Sequence, residues 1–219
     1  MHGLLDLVYP PSCLACHART ATPDALLCPA CADTLADADP DELRATLCAD
    51  GALDGAFARW RYAPDGPLGP LLHALKYGQR PRYGRLLGRS LATLGLPPAD
   101  ALVPLPLHRA RWLDRGYNQS EEIALGLVEA LAADGETGLA LRPALLRRAH
   151  ATTSQTRQDR AGRAANVAHA FDAAPEAEGL RLLVVDDVVT TGATAHSAAR
   201  ALKDAGAAWV GLVAVGWTR

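Results

Sequence analysis

The segment LLVVDDVVTTGAT, Leu182 to Thr194, sets two adjacent carboxylates behind an apolar run and follows them with three hydroxyls and a glycine. Asp186 and Asp187 repel each other unless something at that point shares their charge. Acidic acceptors suit vicinal hydroxyls, directly or through water on a divalent ion. Thr190, Thr191 and Thr194 add hydroxyl donors. Gly192 lets the backbone approach a ligand closely. A helix opening at Gly192–Ala193 offers free N–H groups and partial positive charge, which is a phosphate site. The segment therefore matches a phosphate on one side and a diol on the other, and a ribose 5-phosphate presents both.

A second cluster lies near the N-terminus. Cys13 and Cys16 form one CxxC, Cys28 and Cys31 another, with eleven residues between the pairs and prolines 10, 11, 23 and 29 marking turns. Two such hairpins can present four thiolates tetrahedrally to one zinc ion. Four sulfur ligands leave no open position, so the expected role is structural, with the ion supplying folding energy to a segment too short for its own core. Two reducible disulfides or a redox CxxC are the competing readings. Cys48 stands alone and reads as a small buried hydrophobe.

The elements that must position these groups follow from periodicity. GLRLLVVDD is a continuous apolar strand ending at the acidic pair, GATAHSAARALKDAGA a helix, and AWVGLVAVGW another strand. Uninterrupted apolar strands around a helix argue for a parallel sheet covered on both faces, and in such sheets ligands sit beyond the carboxyl ends of the strands. Upstream, residues 30–47 read as one Ala/Asp-rich helix and GAFARWRYA as a strand. PLGPLLHALKYG is a helix closed by Gly78, RYGRLLGRSLATLGL a second helix, and DALVPLPL a strand entering a Pro-bracketed turn. NQSEEIALGLVEALAAD is a helix with Asn118 or Ser120 as cap, ALLRRAH a strand, and residues 153–171 a polar, poorly periodic stretch. The expected division is a zinc-binding module over 1–50 and an α/β domain over 51–219.

With 219 residues, 49% of them hydrophobic, the chain has material for one medium domain with a small appendage. A net charge of −2 argues against a general nucleic-acid or membrane-surface protein. Basic residues concentrate over 76–89, 109–115 and 142–163, which suits a local anion site. Every apolar run is broken before a membrane-spanning length, and the first residues lack the pattern of a secretory signal. A cytoplasmic location with reduced cysteines is the expectation. His150, His169 and His196 have no spacing that makes a catalytic dyad. Arg59, Trp60, Arg61 and Tyr62 interleave cations and aromatics, a pattern of single-stranded nucleic-acid contact or of a two-sided strand.

The Asp-Asp…Thr-Thr-Gly-x-Thr segment resembles the 5-phosphoribosyl-1-diphosphate (PRPP) motif of type I phosphoribosyltransferases. CLAC and CPAC, LLHALKYGQR, LVPLPLHRARWLDRGYNQSEEIA and TTSQTRQDRAGRAANVAHAF together are similar, in order, to segments of the ComF family. His169 departs from the glycine expected before Ala-Phe. The resemblance implies an α/β phosphoribosyltransferase-like fold, mostly parallel, behind an N-terminal zinc knuckle. It implies PRPP bound with Mg²⁺ by Asp186, Asp187, Thr190, Thr191, Gly192, Ala193 and Thr194, and diphosphate contacts from Lys76, Arg109 and Arg115, with Asp187 also in the catalytic set. Lys76 reads equally as a helix C-terminal cation. Arg147, Gln155, Arg160, Arg163 and Asn166 fall in a segment like the family's hood. DNA uptake, a DNA-uptake helicase and single-stranded DNA are the partners the resemblance suggests. It leaves open an enzyme with an unassigned acceptor or a non-catalytic nucleotide-sensing or DNA-handling module.

Overall fold

The computed structural model describes residues 10–135, 138–149 and 170–218. Among these, five parallel strands form the main sheet: β1 (Gly55–Arg61), β2 (Ala101–Pro104), β3 (Ala140–Leu141), β6 (Arg181–Val189) and β7 (Trp209–Trp217), in the order β1-β7-β6-β2-β3. Two short antiparallel strands, β4 (Leu146–Arg148) and β5 (Phe171–Ala173), pair separately.

Side-chain alternation splits the core into two layers. Leu182 and Val184 of β6 and Val210 and Leu212 of β7 face α2 (Pro40–Leu47) and α7 (Ala193–Asp204), through Leu43, Leu47, Ala198 and Leu202. Leu183 and Val185 with Val213 and Val215 face the opposite helices: α3 (Leu68–Tyr77), α4 (Pro81–Arg89) and α6 (Gln119–Ala133). The expected parallel sheet with both faces covered is what forms. β6 differs from expectation by running past the acidic pair to Val189, because Val188 and Val189 still pair with Gly216 and Trp217.

The expected single helix over 30–47 is two, α1 (Pro29–Ala32) and α2. Asp39 caps α2 by accepting from the N–H groups of Asp41 and Glu42, and Pro40 takes the first helical position, where its missing N–H costs nothing. Between the helices, residues 36–38 are extended along β1: Asp37 bridges Trp60 and the Arg61 N–H donates to Ala36. That contact covers an otherwise open sheet edge.

α4 and α6 cross at backbone contact. A Cβ at Gly88 would lie 2.0 Å from the Ile123 carbonyl oxygen, and one at Gly126 2.0 Å from that of Arg85. This approach positions the start of α6, which carries part of the site. α5 (Arg109–Arg115) joins β2 to α6.

Candidate functional site

The four N-terminal sulfurs lie within 4.8 Å of one another. Cys16 and Cys28 Sγ are 3.6 Å apart, far beyond a disulfide bond and close to the ~3.8 Å edge of a tetrahedron with Zn–S near 2.3 Å. The turns are those of knuckles. The His17 N–H donates to the Cys13 carbonyl at 2.9 Å, and the N–H groups of Cys31 and Ala32 both reach the Cys28 carbonyl. The thiols sense their crowding: hydrogen bonding to Cys16, then burial, pushes Cys31 up to about 12. Cys13 is buried, which opposes ionisation, yet backbone N–H groups led by that of Cys28 bring it down to about 6. Four clustered sulfurs of this kind fit a structural zinc and no catalytic one. Cys48 packs at the edge of the core instead, its thiol raised by burial.

Asp186 and Asp187 sit in β6 as it reaches the carboxyl edge of the sheet and take different partners. Asp187 is buried, with Lys76 Nζ of the last turn of α3 2.6 Å from its Oδ2, a contact of charge without the geometry of a directed hydrogen bond. Lys76 is thus joined to the acidic pair, as well as lying at a helix C-terminus. Asp186 Oδ1 accepts from the Ser120 hydroxyl at 3.3 Å and from the Asp187 N–H at 2.8 Å. Burial and then the adjacent Asp187 carboxylate hold the Asp186 carboxyl well above its ordinary range. Two adjacent carboxylates thus share one lysine ammonium in direct contact, that of Lys76 on Asp187.

The loop after β6 turns on Gly192, whose φ of 76° is left-handed. A Cβ there would also meet Leu47 Cδ2 at 2.6 Å. Leu47 ends α2, and its carbonyl lies 2.7 Å from His196 Nε2 in the first turn of α7. His196 is a partnered structural polar residue, as expected. Thr190, Thr191, Ala193 and Thr194 are exposed around the turn, and among the described residues no side chain caps Gly192–Ala193 except a 3.4 Å contact from the Ala193 N–H to Thr191 Oγ1. The first N–H groups of α7 remain directed at whatever the threonines surround.

The RGYNQS stretch fastens the site together. Tyr117 donates to the Leu75 carbonyl on α3, and Asn118 Nδ2 donates to the Leu105 carbonyl of the Pro-x-Pro strand at 3.0 Å. Asn118 is the cap of α6, accepting from the Ser120 N–H, so Ser120 is free to serve Asp186. Arg115 is buried, donating to Gln119 Oε1 at 2.8 Å with its guanidinium 5.4 Å from the Tyr77 ring centre. Arg109 is exposed in the first turn of α5, behind its cap His108.

Two residues escaped the sequence reading. Ser120, a possible cap by sequence, instead donates its hydroxyl to Asp186. Arg148, rather than its neighbour Arg147, turns inward: its Nε donates to the Pro106 carbonyl at 3.0 Å and its guanidinium lies 5.0 Å from the Phe171 ring centre. Burial, then the charge of Arg111, lowers its pKa, against an opposing pull from Asp186. Strand alternation in ALLRRAH was the available signal. Gln155, Arg160, Arg163, Asn166, His150 and His169 lie outside the described residues. Arg59 is paired with Asp37 at 2.6 Å, and its guanidinium lies 5.4 Å from the Trp60 ring centre.

A cleft of about 860 Å³ adjoins Lys76 and Thr190, between the cysteine ribbon and α3. No helix among the described residues is long and apolar enough to cross a membrane.

Residues 136–216 match the phosphoribosyl transferase domain model, and residues 4–50 the double zinc ribbon domain. The DNA utilization protein YhgH of Salmonella typhi is 34% identical over 157 residues, and that of Escherichia coli K12 32%; each match covers 68% of this chain. The match spans 66% of the length of these relatives. A Bacillus subtilis glutamine PRPP amidotransferase complexed with ADP and GMP superposes with a TM-score of 0.42 at 24% identity, covering 62% of this chain and 26% of the other.

Proposed function

The chain belongs to the ComF family, with a phosphoribosyltransferase-like fold behind a zinc ribbon, and on that premise we propose that it binds PRPP with Mg²⁺ and transfers the phosphoribosyl group. The observation that carries the reading is the passage from two adjacent carboxylates, with one lysine in contact, directly into a helix start ringed by threonines. The 5-phosphate would take the N–H groups of Gly192, Ala193 and Thr194 and the hydroxyls of Thr190, Thr191 and Thr194. The ribose diol would face Asp186 and Asp187. These carboxylates are the hard oxygen donors that suit magnesium, and two of them with one lysine in contact fit such an ion. Held by Asp186 and Asp187, such an ion would supply positive charge to the diphosphate leaving group.

Arg109 supplies a further cation at the diphosphate, and Arg115 adds its charge from beneath while holding Tyr77 and Gln119. Lys76 stands beside Asp187 and exchanges this partner for the incoming diphosphate. In the transfer, the acceptor's lone pair forms a bond to C1, the C1–O bond breaks with its electron pair leaving on diphosphate, and the acceptor's proton departs to solvent. Preorganised charge does the work, and no covalent enzyme intermediate is needed. Isothermal titration of PRPP with Mg²⁺ tests the reading. Asp186→Asn with Asp187→Asn should weaken binding at least tenfold; equal affinity in wild type and double variant would overturn it.

The relatives' printed name concerns DNA utilization, so the proposal places the protein in the cytoplasm beside DNA-uptake machinery, such as a helicase, or on single-stranded DNA. Single-stranded DNA binding that survives the double Asp→Asn change would favour a non-catalytic role.

A further inference from the structure

The cleft beside Lys76 and Thr190 has a composition the phosphosugar site does not use. One wall is the ribbon, through Leu14 and His17; the others are Tyr62, after β1, and His73 and Tyr77 on α3. A volume of about 860 Å³ is that of a small-molecule site. Its apolar lining includes four rings, the phenols of Tyr62 and Tyr77 and the imidazoles of His17 and His73. His73 and Tyr77, one helical turn apart, hold their ring centres 4.9 Å apart, tilted at 45°, and Arg115 lies on Tyr77. Tyr77 keeps 66% of its surface exposed, a large aromatic area left open at the mouth of a cleft.

His17 is the most informative residue. Its φ of 62° is left-handed, where a glycine would sit without strain. The chain spends that strain on an imidazole whose backbone is fixed by the knuckle hydrogen bond to Cys13. Residues held in such conformations concentrate at ligand sites. The ribbon thus does more than cap the domain: it contributes a side chain to a cleft that continues from the phosphosugar loop.

We propose that the zinc ribbon is one wall of the second-substrate site, that the cleft takes a planar nitrogen heterocycle, and that His17 helps select it. Stacking on His73 and Tyr77 would hold the ring, and His17 would meet its polar edge. The proposal rests on the phosphosugar reading, because the ring must enter from a space contiguous with C1 of the bound sugar.

Titration calorimetry on the full chain separates the two. The ligands are ribose 5-phosphate, which fills only the phosphosugar half, and AMP, GMP, CMP and UMP, which fill both. At least one nucleotide should bind about tenfold tighter than ribose 5-phosphate, the usual worth of one stacked base. His17→Gly, which keeps the turn and whose zinc content is checked by elemental analysis, should remove most of that increment and leave ribose 5-phosphate affinity unchanged. Tyr77→Leu should do the same. Ribose 5-phosphate binding with no nucleotide tighter, or an increment that both variants retain, would overturn the cleft proposal alone. Absence of ribose 5-phosphate binding would overturn the phosphosugar reading and this one with it.

Discussion

Replacing Gly126 by alanine puts a methyl group where backbone already stands. The new Cβ would lie 2.0 Å from the Arg85 carbonyl oxygen and 2.6 Å from the Arg85 carbonyl carbon and Cα. Ordinary contact needs about 3.5 Å, so α4 and α6 must separate by roughly 1.5 Å. No flexible side chain can absorb this, and Leu87, Ile123 and Leu127 lose packing as the helices part. Overpacking of that kind costs about 3 kcal/mol at the upper end of its range. The better helix propensity of alanine returns about 1 kcal/mol, leaving a net loss of about 2 kcal/mol. For a chain of this size that is a fall in Tm of roughly 4–8 °C. Thermal and urea unfolding would measure it. Gly88→Ala strains the same crossing, so the two changes should combine with less than additive effect. Ser120 sits on the same helix and reaches Asp186, so ribose 5-phosphate affinity should fall too. A Gly126→Ala protein stabilised by the ~1 kcal/mol of propensity alone would refute the close crossing.

The raised Asp186 carboxyl makes a pH prediction. Its folded pKa exceeds the unfolded value near 3.9, so its contribution to stability is most favourable below about pH 4 and is lost as pH rises through the elevated value. Asp186→Asn should therefore stabilise the ligand-free protein increasingly as pH rises above about 4 in urea titrations; a pH-independent difference would count against the raised carboxyl. Protein purified without chelator should carry about one zinc per chain by elemental analysis, and Cys28→Ser should lose it and soften the ribbon in hydrogen exchange. Arg148→Ala should weaken PRPP binding about tenfold, as loss of a partly buried charge near Asp186 does, whereas Arg147→Ala should leave calorimetric affinity nearly unchanged.

The β6–loop–α7 unit was legible because everything it needs is local: an apolar run, an acidic pair, hydroxyls, and a glycine at one left-handed position. The double CxxC was legible for the same reason. The break between α1 and α2 was not, since Asp37 is drawn into an extended path by Trp60, far along the chain. Ser120 and Arg148 gain their roles only by tertiary placement. A serine two residues past an asparagine cap announces nothing, and choosing between adjacent arginines needs the phase of a three-residue strand.

Leu47 touches more of this molecule than its size suggests. Its side chain occupies the space a methyl at position 192 would need, and its carbonyl tethers His196. The volumes at 47 and 192 therefore form a joint constraint spanning 145 positions of chain. Among diverging descendants, neither position can drift alone: a bulkier turn demands a smaller neighbour beneath it. The length of α2 is constrained with them, since lengthening it by one residue would swing that leucine from under the turn by about 100°.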